Sequence, residues 1–216
     1  MNWKKGYFRL FISHISSAKP EATELAKILK DRFAVDAFVA HKTIKATADW
    51  QDEIEEALKS AHAFLAMLSY GFSKSYWCNQ ELGWALGLNS LVISLRAGED
   101  PKGFVGRVQG LAGVKDNVPK TAERIFKVLA SHKKTAAKMA LIQSMRLRDT
   151  PPNSSWAVIE HYIGPQLERC NDFSDRALDI LEDAFRKNSD VSTSYHLGKV
   201  KEILTTHGRT VPKYEP

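Results

Sequence analysis

Cysteine is nearly missing from this chain, and so are several other features that would narrow its chemistry at once. Two cysteines stand among 216 residues, Cys78 and Cys170, far apart, with no CxxC and no histidine at ligand spacing. That excludes a disulfide framework and argues against a zinc site, and leaves two buried thiols as the expectation. No window approaches the run of about 18 apolar residues needed to cross a bilayer. Met1-Asn2-Trp3-Lys4-Lys5 leads into a strand-like segment that contains Arg9, unlike a signal peptide. The expectation is therefore a cytoplasmic protein with no membrane partner. A basic stripe is missing too. The net charge is +6, yet residues 1–132 carry 18 Lys and Arg against 14 Asp and Glu, and the remaining residues carry 13 against 11. No basic run exceeds Lys133-Lys134, so the charge reads as a solubility charge and no nucleic-acid partner is expected. Low-complexity segments and fixed-period repeats are also lacking.

What is present is an ordinary globular composition, 44% hydrophobic and 26% charged, in a chain long enough for one full core and an accessory domain. Tyr7 to His14 is a short aromatic-rich run, as in a buried strand entering a loop. Lys19-Pro20-Glu21 opens a helical pattern that ends near Phe33, and Val35 to Val39 is a second strand. The polar loop 40–49 follows, holding His41, Lys42 and Lys45, and then a helix from Trp50 to Ala61. Ala63 to Ser69, a helix over 75–88, Leu91 to Leu95, an irregular stretch over 103–111 with a short edge strand, and a helix over 119–131 complete the series. Alternating strands and helices predict an α/β fold, a flavodoxin-like doubly wound parallel sheet. In such folds ligands sit at the carboxyl ends of the strands, which here carry Ser13-His14, residues 40–45, and Ser69 to Ser75.

The stretch Ser75-Tyr76-Trp77-Cys78-Asn79-Gln80-Glu81-Leu82-Gly83-Trp84 leaves the third of those ends. It reads as an amphipathic helix behind a serine cap, with Trp77 and Glu81 four apart on one face. Flanked by Leu82, Trp84 and Ala85, Glu81 lies near the buried edge, where a carboxylate is costly unless something binds it. The competing reading is a glutamate favoured by the helix dipole. For Trp77 both a core position and a site position stay open.

From Lys133 the alternation stops. Residues 135–148, 155–167, 174–186 and 194–204 read as helices, so the expected division is a sheet domain over 1–132 and a C-terminal helical region over 133–216. Its His161, His196 and His207 have no partner at metal-ligand spacing, and surface or packing roles are expected for them, with no metal. Leu141, Trp156, Ile159, Leu178, Leu181 and Phe185 exceed what four short helices need, which suggests a partner surface.

The first 130 residues resemble the Toll and interleukin-receptor (TIR) domain in its bacterial form. The resemblance rests on Leu10-Phe11-Ile12-Ser13-His14 as first strand, on the 40–49 loop before Trp50 as the family's BB loop, and above all on Ser75-Tyr76-Trp77-Cys78-Asn79-Gln80-Glu81-Leu82. That block is similar to the SxWCxxEL of plant TIR domains and to the Trp-x-x-x-Glu of TIR NADases, where the glutamate is catalytic. The resemblance implies an NAD glycohydrolase or ADP-ribosyl cyclase of the Thoeris-like antiphage kind, with Glu81 catalytic and NAD as substrate rather than cofactor. It places Trp50 and Trp77 along the nicotinamide end, with Ser13, His14 and Ser69 at the strand ends. Ile15-Ser16 replace a basic pair seen in some members, so Lys42 or Lys45 would meet the phosphates. It further implies self-association through TIR domains and a separate effector protein that reads the product. Two other classes remain: a non-catalytic TIR scaffold acting through the 40–49 loop, and a sensor that binds a nucleotide without turnover.

Overall fold

Phe8–Ser13, FRLFIS, is buried almost throughout and forms β1, a strand with helices on both faces, which is why it reads as a continuous apolar run rather than an alternation. The structure is a computed structural model that describes all residues except 1, 40–48, 108–109, 113–116, 152–155, 194–196 and 215–216. It divides into two compact units, Met1–Val128 and Leu129–Pro216.

In the first unit β1 is followed by α1 (Lys19–Phe33), β2 (Val35–Val39), α2 (Asp49–Ser60), β3 (Ala63–Ser69), α3 (Tyr76–Gly87), β4 (Leu91–Ala97), β5 (Leu111–Ala112) and α4 (Val118–Ser131). The sheet order is β2-β1-β3-β4-β5, with every named pair parallel. The α/β doubly wound fold expected from the alternation is the fold observed. Pro20 sits in the first turn of α1, where its missing N–H costs nothing, and Ala34 closes that helix in the left-handed region at φ 54°, donating to the Leu29 carbonyl.

The two faces of the sheet have separate cores. On one, Phe11 stacks on Phe64 with centroids 5.5 Å apart, and Ile54, Leu58, Leu68, Cys78 and Ala85 close around them. On the other, Phe33 of α1 stacks on Phe126 of α4 at 4.9 Å. Truncating a buried ring such as Phe64 would cost about 3–5 kcal/mol.

The second unit is helical: α5 (Ala136–Arg148), α6 (Trp156–Val158), a π turn over Ile159–Ile163, α7 (Gly164–Leu167), α8 (Asp175–Lys187), α9 (Ser189–Thr193) and α10 (Leu197–Thr206). The single helix expected over 155–167 is broken, because Pro165 has no N–H to give the preceding turn. α9 was not expected, being too short to show a period. α5 packs on α8, and Leu178, Leu181, Phe185 and Ile159 are buried, so most of the apolar residues expected to form a partner surface fill the interior instead. Trp156 differs, at 53% exposure. Arg209 closes the unit with bonds to Asp175 and Asp179. His207 accepts its place by a ring contact with Phe173 and by Nδ1 at 2.8 Å from the Ile203 carbonyl. His161 lies edge-on to Trp156, and His196 falls outside the described residues. Both cysteines are buried and unbridged. No described helix is long and apolar enough to cross a membrane.

Candidate active site

The turn that leaves β3 sets the position of α3. Gly71 adopts φ 99°, a value that only glycine takes cheaply, and Glu99, two residues beyond β4, accepts hydrogen bonds from the backbone N–H of Gly71 at 2.6 Å and of Ser73 at 3.1 Å. Burial pushes the Glu99 carboxyl up, but these bonds outweigh it and hold the group below the usual carboxylate range. Ser75 then caps α3, its Oγ accepting from the Cys78 N–H at 3.3 Å, while the Asn79 amide donates to the carbonyls of Ser73 and Ser75. With its start fixed, α3 buries Cys78, Glu81 and Ala85, the i, i+3, i+7 stripe of one face.

Under that stripe the sheet presents a row of small residues. Ser13 of β1 pairs in register with Ala66 of β3, and Ala66 with Ser94 of β4. The neighbouring row, Phe11, Phe64 and Val92, is bulky. The small row is where a carboxylate fits between helix and sheet. Glu81, at 3% exposure, enters there, and Ser13 Oγ donates to its Oε2 at 2.5 Å. Its other oxygen, Oε1, is buried with no hydrogen-bond partner among the described residues, and the same holds for Ser94 Oγ in the same row. Burial raises the Glu81 carboxyl to about 7, against a smaller opposing effect of the Ser13 bond. Burial also raises the Cys78 thiol, and the nearby Glu81 charge adds to it. The helix-dipole reading of Glu81 does not fit: no acidic residue stands in the first turn of α3, and Glu81 is its sixth residue.

The residues expected at the site do not all meet. Ser13 does, through its bond to Glu81. His14 follows it, buried, with Nδ1 at 2.7 Å from the Ile15 carbonyl. Trp77, one turn before Glu81, is 40% exposed, which decides against the core position. Trp50 lies in the first turn of α2, with its side chain outside the described residues, as are Lys42 and Lys45 altogether. Ser69 is set apart: Leu68 and Ala66 belong to the core beneath α3, so by strand alternation Ser69 points to the opposite face, where it lines a different pocket. Ser94 was missed, although a lone polar residue inside Leu91-Val92-Ile93-Ser94-Leu95 was the available signal.

A flavodoxin-like sheet with strand order 2-1-3-4-5 and a buried glutamate on the helix after β3 fits more than one family, so similarity decides. The model of the family described as TIR domain matches residues 10–126, more than half of the chain. The chain belongs to the TIR-domain family. Among solved structures it is similar to the TIR domain of the Toll-related receptor TRR-2 from Hydra magnipapillata, at 18% identity and a TM-score of 0.44, over 55% of this chain and 94% of that one. No curated protein matches it. In this TIR domain, Glu81 and Ser13 stand at the carboxyl end of β1, beside β3, the switch point of the sheet.

Proposed function

We propose that this TIR domain cleaves the bond between nicotinamide and ribose in NAD, with Glu81 as the catalytic carboxylate. The observation that carries the reading is the state of that side chain: buried, held at one oxygen by Ser13, and bearing a second oxygen with no partner among the described residues. An unpaired buried carboxylate oxygen costs about 1–3 kcal/mol or more, a cost that a ligand hydroxyl at that oxygen would remove.

The chemistry asks for little else. The C–N bond breaks with its electron pair going to the nicotinamide ring, which leaves neutral, so no general acid is needed. The sugar becomes oxocarbenium-like. The Glu81 carboxylate accepts from ribose hydroxyls and stabilises the developing positive charge in a site of low dielectric. Capture by water gives ADP-ribose and releases a proton; capture by another atom of the same nucleotide gives a cyclic ADP-ribose isomer. Trp77, exposed one turn away, offers an indole face to the nicotinamide end, and Lys42 or Lys45 would take the phosphates. An immune role against phage, with the product read by a separate effector protein, follows from the resemblance to bacterial TIR NADases.

A scaffold reading is favoured by one observation. Tyr76 and Trp84 of α3 and Leu88 just after it are exposed, apolar surface suited to TIR–TIR association. Incubating the purified protein with NAD over a range of protein concentrations, and separating nicotinamide, ADP-ribose and cyclic products, distinguishes the two. Turnover that disappears in Glu81→Gln supports the enzyme; no turnover at any concentration, with association intact, supports the scaffold.

A further inference from the structure

We infer that the TIR unit has a second small-molecule site, on the face of the sheet opposite Glu81, built for a nucleoside without phosphate. A pocket of about 370 Å³ opens at the carboxyl ends of β3 and β4, beside the first turns of α1 and α4. None of Ser13, Trp77 and Glu81 lines it. Its volume lies at the lower end of the range that holds small ligands, about 300–1,000 Å³, and the carboxyl edge of a parallel sheet is where such ligands sit.

The lining specifies the chemistry. Leu25, Met67, Leu95 and Val118 make an apolar wall for a flat ring, with the Met67 thioether suited to an aromatic partner. Ser17, Ser69, Tyr70 and Thr121 are the hydroxyl-bearing lining residues, with Ser69 and Thr121 also donating to the Met67 and Asn117 carbonyls, and Glu21 is the one carboxylate-bearing residue. No lysine, arginine or histidine is among the described lining residues, so among them a phosphate would meet the Glu21 charge without a cation beside it. Glu21 also occupies the first turn of α1, where it already complements the positive end of that helix. A carboxylate beside hydroxyls suits the vicinal diol of a ribose, which can donate two hydrogen bonds to it. The mouth is shaped as well: Gly98, at φ 145°, lets the Tyr70 ring lie against the backbone, where a Cβ would come within 2.8 Å of Tyr70 Cδ2. Base against the apolar wall and sugar toward Glu21 is the arrangement that uses every group.

The site stands independently of NAD cleavage, and its test avoids turnover. Full-length protein carrying Glu81→Gln is titrated calorimetrically with adenosine, guanosine, cytidine and uridine, then with the 5′-monophosphate and the 2′,3′-dideoxy form of the best binder. At least one nucleoside binds; its monophosphate and its dideoxy form each bind at least about tenfold more weakly, the scale of one charge-assisted hydrogen bond or one charge repulsion. Glu21→Ala, at an exposed position that cannot unfold the domain, weakens the nucleoside about tenfold and erases its advantage over the dideoxy form. Ala97→Phe, which fills the pocket, abolishes binding. The proposal is overturned by no binding of any nucleoside at its solubility limit, by a monophosphate that binds as well as the nucleoside, by a Glu21→Ala protein that still distinguishes the dideoxy form, or by binding that survives Ala97→Phe and is lost in Trp77→Ala.

Discussion

Ser13, the last residue of β1, donates to Glu81 Oε2 across 2.5 Å, joining positions 68 apart in sequence. The bond favours the ionised carboxylate, against the burial that raises the group to about 7. Ser13→Ala therefore moves the Glu81 pKa higher. In the proposed NAD cleavage the carboxylate is the working form, so the acid limb of the rate profile should shift to higher pH, turnover at pH 7 should fall about tenfold, and it should recover as the pH rises. Measuring kcat against pH in both proteins checks this; a uniform loss at every pH would mean that Ser13 acts by packing instead.

Glu81→Gln should abolish NAD cleavage and stabilise the protein in a pH-dependent way. A carboxyl raised from 4.5 to about 7 on folding contributes stability that is fully present below pH 4.5 and is lost as the pH rises through 7. The glutamine variant does not bear that loss. Its melting temperature should match the wild type near pH 4.5 and exceed it at pH 8, by the equivalent of about 3 kcal/mol at most. Equal melting temperatures at pH 8 would show that the carboxylate is already compensated.

These two expectations show what the sequence could and could not carry. The strand and helix alternation up to β4 was legible because those elements are long enough to show their pattern, whereas β5 has only two residues; Glu81 was legible beside Ala85, which is buried with it, although Trp84, which the sequence also places at that edge, is exposed. Its partner was not. Ser13 was legible as a strand-end residue, but its bond to Glu81 depends on sheet register, and so does the row that joins Ser13, Ala66 and Ser94. Ser69, expected with Ser13 and His14 at the strand ends of the site, lies on the other face from Glu81 for the opposite reason: a strand end names a place along the strand, and only the pleat decides the face. In the helical unit the apolar positions were counted correctly as many, but counting could not tell an interior from a surface.

Ser94 gives a sharper test of that row. Its Oγ is buried with no partner among the described residues, so Ser94→Ala removes the desolvation cost and should stabilise the unit by about 1 kcal/mol. Denaturant unfolding measures it. Destabilisation of similar size would mean that the hydroxyl is satisfied through an ordered water.

Trp77 separates site from core. At 40% exposure it should tolerate Trp77→Ala with a stability change within about 1 kcal/mol, while kcat/KM for NAD falls about tenfold or more through lost stacking. Phe64→Ala, at a fully buried ring, serves as the contrast and should lower the melting temperature sharply. A Trp77→Ala protein with unchanged kcat/KM would take the indole out of the substrate site.

The helical region is tested by removal. α4 ends at Ser131 and the first compact unit ends at Val128, so a chain cut after Ser131 keeps the whole sheet and both of its cores. In the resemblance to TIR enzymes a neighbouring protomer completes the site, and NAD cleavage by the full chain should then rise more than linearly with protein concentration. The helical unit spends Leu178, Leu181 and Phe185 on its own interior, while Trp156, Val158, Tyr162 and Tyr214 are exposed among its described residues, Trp156 and Tyr162 the most, and can be offered to a partner. Truncation should lower the oligomer mass read by light scattering and change turnover at low concentration, and Trp156→Ala with Tyr162→Ala in the full chain should reproduce the mass change without unfolding. Unchanged mass and unchanged turnover at every concentration in the truncated protein would take residues 132–216 out of the assembly.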